Sequence, residues 1–251
     1  MVKIILSGCN GHMGRVLTDL IARDPETETA AGIDLNDSIS NDYPVYKNPA
    51  DCKAEADVMI DFSNYRAVDG ILDWCAKKKM PLVLCTTGLS EEQIAKVKAC
   101  SEQTAILRSA NMSVGVNLLL KLLKQASALL APAGYDMEIV EEHHRRKLDA
   151  PSGTAIALAD SLNEGAGGDY HYTYERASRT EKRDEKEIGI SSVRGGSIVG
   201  VHDVIFAGND EVIEFKHTAY SRAIFGNGAI AAAKFLSGKK SGLYDMSDVI
   251  G

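Results

Sequence analysis

The chain has 251 residues, 45% of them hydrophobic and 25% charged, with a formal net charge of −7. That length suffices for one large domain or two modest ones with their own cores, and the acidic balance argues against broad nucleic-acid binding. No stretch reaches the roughly 20 apolar residues of a membrane span, and glycines interrupt the N-terminal run where a signal peptide needs an unbroken apolar core, so a soluble cytoplasmic protein is expected, with neither membrane nor nucleic acid as partner. Cys9, Cys52, Cys75, Cys85 and Cys100 are odd in number and lack Cys-x-x-Cys spacing. Neither a disulfide framework nor a metal site is expected.

In chain order, Val2 to Ser7 is a short apolar run, after which Met13, Val16, Leu17, Leu20 and Ile21 recur at helical spacing. Further strands are expected at Thr29 to Asp34, Asp57 to Phe62, Pro81 to Thr86 and Thr104 to Ser109, with helices at about Tyr65 to Lys79 and Ser90 to Cys100. Such alternation predicts a parallel sheet covered by helices. Ser113 to Leu130 is a dense apolar helical pattern that predicts a helix joining two lobes and buried on several sides. A strand at Met137 to His143, a helix at Ser152 to Asn163, and strands at Glu187 to Arg194, Ile198 to Ala207 and Glu211 to Ala219 then predict an α+β lobe on a mixed or antiparallel sheet. The charged segment at 176–187 reads as a solvated loop near the cleft mouth. Arg222 to Leu236 is again helical and is expected to return to the first lobe. The expected division is therefore 1–112 with 221–251 for one domain and 113–220 for the other.

Gly8-Cys9-Asn10-Gly11-His12-Met13-Gly14 follows the first strand and opens the first helix. Glycine permits a tight turn there and lets backbone amides approach a pyrophosphate at the positive helix end. By itself the run also fits an ordinary strand-to-helix turn. Its place at residue 8, and Asp34 closing the second strand where a carboxylate can hold both ribose hydroxyls, point to a Rossmann-type dinucleotide-binding domain. Leu35 follows Asp34, so no adjacent guanidinium welcomes a 2′-phosphate and the carboxylate repels one. NADH is expected to bind better than NADPH, unless Arg15 or Lys47 approaches in the fold.

Glu141-Glu142-His143-His144-Arg145-Arg146-Lys147-Leu148-Asp149-Ala150-Pro151-Ser152-Gly153-Thr154-Ala155 is the most informative stretch. His143 and His144 can hold or donate a proton near an ordinary pKa of ~6.5, and Arg145, Arg146 and Lys147 supply positive charge. Pro151 bars a continuous helix, and Ser152, Gly153 and Thr154 then offer hydroxyls and amides at a new helix start, a cradle for carboxylate. An isolated His-His pair is often only a surface feature. The whole string suits a small dicarboxylate.

This string is similar to the signature of the 4-hydroxy-tetrahydrodipicolinate (dihydrodipicolinate) reductase family. The resemblance extends to GCNGHMG, IDFS at Ile60 to Ser63, CTTG at Cys85 to Gly88, SANMSVGVN at Ser109 to Asn117 and the ending FGNGAIAAAKFLSGKKSGLYDM, and so spans nearly the whole chain. It implies His143 as proton donor and Lys147 as a second catalytic group, with substrate contacts at His144, Gly153 and Thr154, to which Ser152 is added from the helix start. It implies cofactor contacts at Gly8, Cys9, Asn10, Gly11, His12 and Met13, at Asp34, at Cys85, Thr86 and Thr87, and at Ser109, Ala110, Asn111 and Met112, with Arg222 and Phe225 on the closing helix. The family commonly has glycine at Cys85 and an aromatic at Met112, which bears on ring packing and cofactor affinity. No base stands beside Cys85 in sequence, so a packed thiol is expected there and not a nucleophile. The implied activity is NADH- or NADPH-dependent reduction of a small cyclic dicarboxylate in diaminopimelate and lysine biosynthesis, by a homotetramer assembled through the second lobe's sheet. Two readings compete: another oxidoreductase on the same fold, such as an amino-acid dehydrogenase, and a non-catalytic dinucleotide sensor.

Overall fold

Val2–Ser7 forms strand β1, whose last four residues are buried, as befits a parallel strand covered on both faces. Helix α1 (His12–Arg23) buries Gly14, Leu17 and Ile21 at helical spacing. Strands β2 (Thr27–Ile33), β3 (Val45–Tyr46), β4 (Val58–Asp61), β5 (Leu82–Leu84) and β6 (Ala105–Arg108) follow, with helices α2 (Val68–Lys78) and α3 (Glu91–Ser101) between the later ones. The helix expected from Tyr65 begins as a separate 3-10 turn, Tyr65–Ala67, and α2 proper starts at Val68. A reciprocal cap starts α3: the Gln93 amide donates to the Ser90 hydroxyl at 3.3 Å, and the Ser90 amide donates to Gln93 Oε1 at 3.2 Å.

The computed structural model describes residues 1–251 and divides into two units, Met1–Val114 with Arg222–Gly251, and Gly115–Ser221. The second unit begins within α4 (Val114–Leu130). Contrary to the expected burial on several sides, α4 buries one face: Val116, Leu119, Leu123 and Ser127 face inward, whereas Val114, Leu118, Leu122 and Leu129 are exposed. Leucine count alone cannot distinguish a surrounded helix from a one-sided one; the spacing of the buried residues does.

Strand β7 (Asp136–His143) alternates buried and partly exposed residues, so Met137, Ile139, Glu141 and His143 share the covered face. Helix α5 (Gly153–Gly165) packs on that face through Ala155, Leu158, Ala159 and Leu162, which share a core with Met137 and Ile139. Strands β8 (His171–Tyr174), β9 (Glu187–Arg194), β10 (Gly200–Ala207) and β11 (Val212–Ala219) complete a mixed sheet ordered β11-β10-β7-β9-β8. Its β8, β9 and β7 run parallel, and β10 and β11 are antiparallel. The charged segment 176–187 is more than a solvated loop. Arg183 donates to Glu138 at 2.9 Å, to Asp136 at 2.7 Å and to the Met137 carbonyl at 3.1 Å, and Arg176 pairs with Glu187.

The chain returns to the first unit through α6 (Ala223–Leu236), β12 (Gly242–Tyr244) and α7 (Met246–Ile250). Helix α6 packs on α1, where a Cβ at Gly226 would lie 2.6 Å from Leu20 Cδ1. A Cβ at Gly228 would sit 1.6 Å from the Met112 carbonyl oxygen, so only glycine allows that approach. Lys234 pairs with Asp24 and Glu26, each at 2.7 Å. The resulting parallel sheet has the order β12-β6-β5-β4-β1-β2-β3, with one apolar core on each face.

Candidate functional site

In the first unit the glycine turn lies at the carboxyl end of β1. Gly8 has φ +77°, and a Cβ there would fall 2.6 Å from the Phe62 carbonyl oxygen. Gly11 caps α1 without a side-chain hydrogen bond, which leaves the helix amides open to a ligand. Asp34 follows β2 and accepts from the Asn10 amide through Oδ2 and from the Asn36 amide through Oδ1, each at 2.9 Å. Both oxygens are thereby aimed. Gly8, Gly11 and Asp34 line a cavity of about 730 Å³, together with Lys47, Arg66 and Trp74, within the ordinary range for cofactor clefts. Lys47 also lies 2.9 Å from Asp37, so its charge is already partnered. A tight turn, open helix amides and an aimed carboxylate fit a dinucleotide.

The other expected cofactor residues occupy the same carboxyl edge or its support. Cys9 is buried in the core, and burial, reinforced by the Asp34 charge, pushes its thiol up to about 11. The Asn10 side-chain amide donates to the Asn36 carbonyl at 2.5 Å, while His12 and Met13 open α1. Cys85, Thr86 and Thr87 follow β5, and the Thr86 hydroxyl donates to Asp61 at 2.6 Å. Burial of Asp61 raises its pKa against those hydrogen bonds. Burial likewise holds the Cys85 thiol well above its ordinary range, as expected for packing and not for attack. Ser109, Ala110 and Asn111 follow β6, where Asn111 Oδ1 accepts from the Ser113 amide at 2.8 Å. Met112 is buried in the core, Arg222 is the exposed residue before α6, and Phe225 packs partly buried on that core.

In the second unit, polar residues take over the covered face of the sheet at the end of β7. Glu141 is fully buried and accepts from Arg194 twice, at 2.6 and 2.9 Å, from the Ser152 amide at 3.1 Å, and shares a 2.5 Å hydrogen bond with His143 Nδ1. Burial opposes its charge, yet hydrogen bonds from Arg194, Ser192 and His143 hold its pKa at about 2. For His143, burial outweighs the Glu141 carboxylate and lowers the pKa, with Lys147 and Arg194 acting the same way as burial. Lys147 lies 2.9 Å from Asp149, while His144 is partly buried beside the exposed Arg145 and Arg146.

Gly153 is exposed at the start of α5, followed by Thr154. Ser152, expected as a substrate contact, is instead turned inward and 2% exposed. Its hydroxyl accepts from the Ala155 amide at 3.2 Å and lies 3.1 Å from His202 Nε2. Sequence reading assigned no role to Glu141, Arg194 or His202. The available signal was period-two alternation, which places residues 141 and 143 on one face, with pairing of His202 opposite Glu141 and Arg194 beside His143.

A glycine-turn parallel sheet with an aimed carboxylate, and a second unit carrying a buried histidine-carboxylate pair beside a lysine and an open helix start, define a two-unit pyridine-nucleotide oxidoreductase. Residues 2–112 match the family model for the N-terminus of dihydrodipicolinate reductase, and residues 115–250 match that for its C-terminus. The chain belongs to the dihydrodipicolinate reductase family. It is 50% identical over 250 residues to 4-hydroxy-tetrahydrodipicolinate reductase of Caldanaerobacter subterraneus subsp. tengcongensis, covering 100% of this chain and 98% of that one. Identity to the Clostridium tetani protein of the same name is 46%, covering 98% and 96%. The fold matches a dipicolinate-bound dihydrodipicolinate reductase from Paenisporosarcina sp. TG-14 with a TM-score of 0.82 at 24% identity, over 98% of this chain and 97% of that one. The chain is therefore an NAD(P)H-dependent oxidoreductase.

Proposed function

We propose that the protein reduces 4-hydroxy-tetrahydrodipicolinate to tetrahydrodipicolinate in diaminopimelate and lysine biosynthesis, with His143 as proton donor and Lys147 as the second catalytic group. The observation that carries this reading is that His143 and the start of α5 are tied together through Glu141, which holds His143 Nδ1 and accepts from the amide of Ser152, the residue before the exposed Gly153, while the Lys147 charge acts on the same ring. Two carboxylates on a small ring need two anion contacts. The first-turn backbone of α5 at Gly153 and Thr154 supplies one, and Lys147 and His144 supply the other. When bound, the nicotinamide supplies hydride from its C4. Hydride addition to the conjugated imine formed by loss of water leaves electron density on the ring-nitrogen side, where His143 delivers a proton and Lys147 stabilises the anionic charge.

Cofactor binding falls to Gly8 through Met13, to Asp34, to Cys85, Thr86 and Thr87, and to Ser109 through Met112, with Arg222 and Phe225 beside them. Asp34 favours NADH: its oxygens are fixed by the Asn10 and Asn36 amides, its charge repels a 2′-phosphate, and the lysine that lines the cavity, Lys47, is paired with Asp37. The protein works in the cytosol, in keeping with five free cysteines and no helix long and apolar enough to cross a membrane. It assembles as a homotetramer through the second unit's sheet, where Val193 and Val212 are exposed; light scattering giving a monomer mass at working concentration would exclude this.

The test is NADH oxidation, followed by absorbance, with freshly generated 4-hydroxy-tetrahydrodipicolinate, repeated with NADPH. Turnover with both cofactors and a lower Michaelis constant for NADH is expected. Folded protein that binds NADH yet turns over nothing would contradict the reading.

A further inference from the structure

We infer that Glu141 and Arg194 are positioning residues for His143, fixing its ring so that Nδ1 carries a permanent proton towards Glu141 and the proton exchanged with substrate resides on Nε2. This rests on the reading of His143 as proton donor. Glu141 and His143 are two residues apart on β7, so their side chains rise from the same face. A carboxylate can only accept, and the 2.5 Å contact is to Nδ1; that nitrogen must donate. Arg194, directly paired with His143 across β7 and β9, grips both oxygens of Glu141 and prevents the carboxylate from turning. The second terminal nitrogen of Arg194 also donates to the Asp149 carbonyl at 2.7 Å. One guanidinium thus ties the orientation of His143 to the turn that carries Lys147, since Lys147 pairs with Asp149.

The Nε2 side faces β10. Among the His143 ring atoms, Nε2 is the nearest to the place a Cβ at Gly200 would take, at 3.1 Å, so glycine on β10 keeps a side chain off that nitrogen. His202, also on β10, packs edge-on against the His143 ring with centroids 5.2 Å apart, and Ser152 holds His202 at 3.1 Å. The charged and titratable groups around His143 are thus Glu141 on its own strand, Arg194 on β9, His202 on β10 and Lys147 in the following turn. Only Glu141 favours the imidazolium. The resting ring is neutral, and a dianionic ligand arriving beside it supplies the further negative charge that loads Nε2 with a proton.

The experiment is nitrogen NMR of 15N-histidine-labelled protein across the pH range, with His143 assigned by its loss in His143→Gln, alongside steady-state kinetics of Glu141→Gln and Arg194→Lys. The neutral His143 of the unsubstituted protein is expected to show a protonated Nδ1 and an unprotonated, titrating Nε2. Glu141→Gln is expected to lose that single tautomer, to lower kcat by at least about 10-fold with little change in the KM for NADH, and to move the basic limb of the kcat profile to lower pH. Arg194→Lys, which keeps one contact, falls between. A resting tautomer protonated at Nε2 would overturn the inference even if both variants misfold, and so would a Glu141→Gln protein that keeps both tautomer and kcat. Because the tautomer is read without turnover, its failure is distinct from absence of the proposed reaction.

Discussion

Gly14 leaves no space for a side chain, since a Cβ there would lie 2.2 Å from the Gly8 carbonyl oxygen and 2.4 Å from that of Cys9. Gly14→Ala must push the turn open, and NADH affinity is expected to fall by about 10-fold or more, with a loss of about 1–3 kcal/mol in urea unfolding. Unchanged affinity would show that the turn does not hold the cofactor. Asp34→Asn removes the charge that repels a 2′-phosphate, so the ratio of the NADPH to the NADH Michaelis constant is expected to fall by about 10-fold; an unchanged ratio would move the discrimination elsewhere. At this scale the glycine turn and Asp34 were legible because their spacing is local. Glu141, Arg194 and His202 meet through strand pairing between residues up to 61 positions apart, which local spacing does not reveal.

The elements recognised from sequence were those that carry a helical or strand period or a buried apolar run. β1 and β9 have the bounds expected, and α5 and β10 differ by one or two residues at an end. The three missed strands, β3, β8 and β12, have 2, 4 and 3 residues and lie at sheet edges, where they lack the buried apolar run that marks the equally short central strands β4, β5 and β6. The segment at 176–187 was misread because charge density looks the same whether an arginine is solvated or clamped. Arg183 reaches Glu138, Asp136 and three carbonyls, and its side chain is only 17% exposed. Arg183→Ala is expected to destabilise the second unit by on the order of 1–3 kcal/mol in urea melts while leaving kcat of the folded protein unchanged. A stability change near zero would mean the clamp is formed equally well by water.

For the molecule as a whole, the buried polar cluster under the second sheet makes stability depend on pH. Burial holds the His202 ring at about 4, below its ordinary 6.5, so at intermediate pH the unfolded chain takes up a proton that the folded chain refuses. Stability from neutral His202 is complete above 6.5 and is lost as pH falls towards 4. Glu141 adds a second loss at lower pH, from its ordinary 4.5 down through about 2. Between about pH 7 and about pH 5 the protein is expected to lose about 2 kcal/mol more than His202→Gln does in urea unfolding. Parallel losses would show that His202 titrates freely in the fold. The same cluster supports the proposed chemistry, so the most direct test of the whole account is kcat at saturating 4-hydroxy-tetrahydrodipicolinate and NADH for His143→Gln against the unsubstituted protein. A fall on the order of 100-fold or more, with NADH affinity retained, is the expected result. A kcat within about two-fold of the original would contradict His143 as the proton donor.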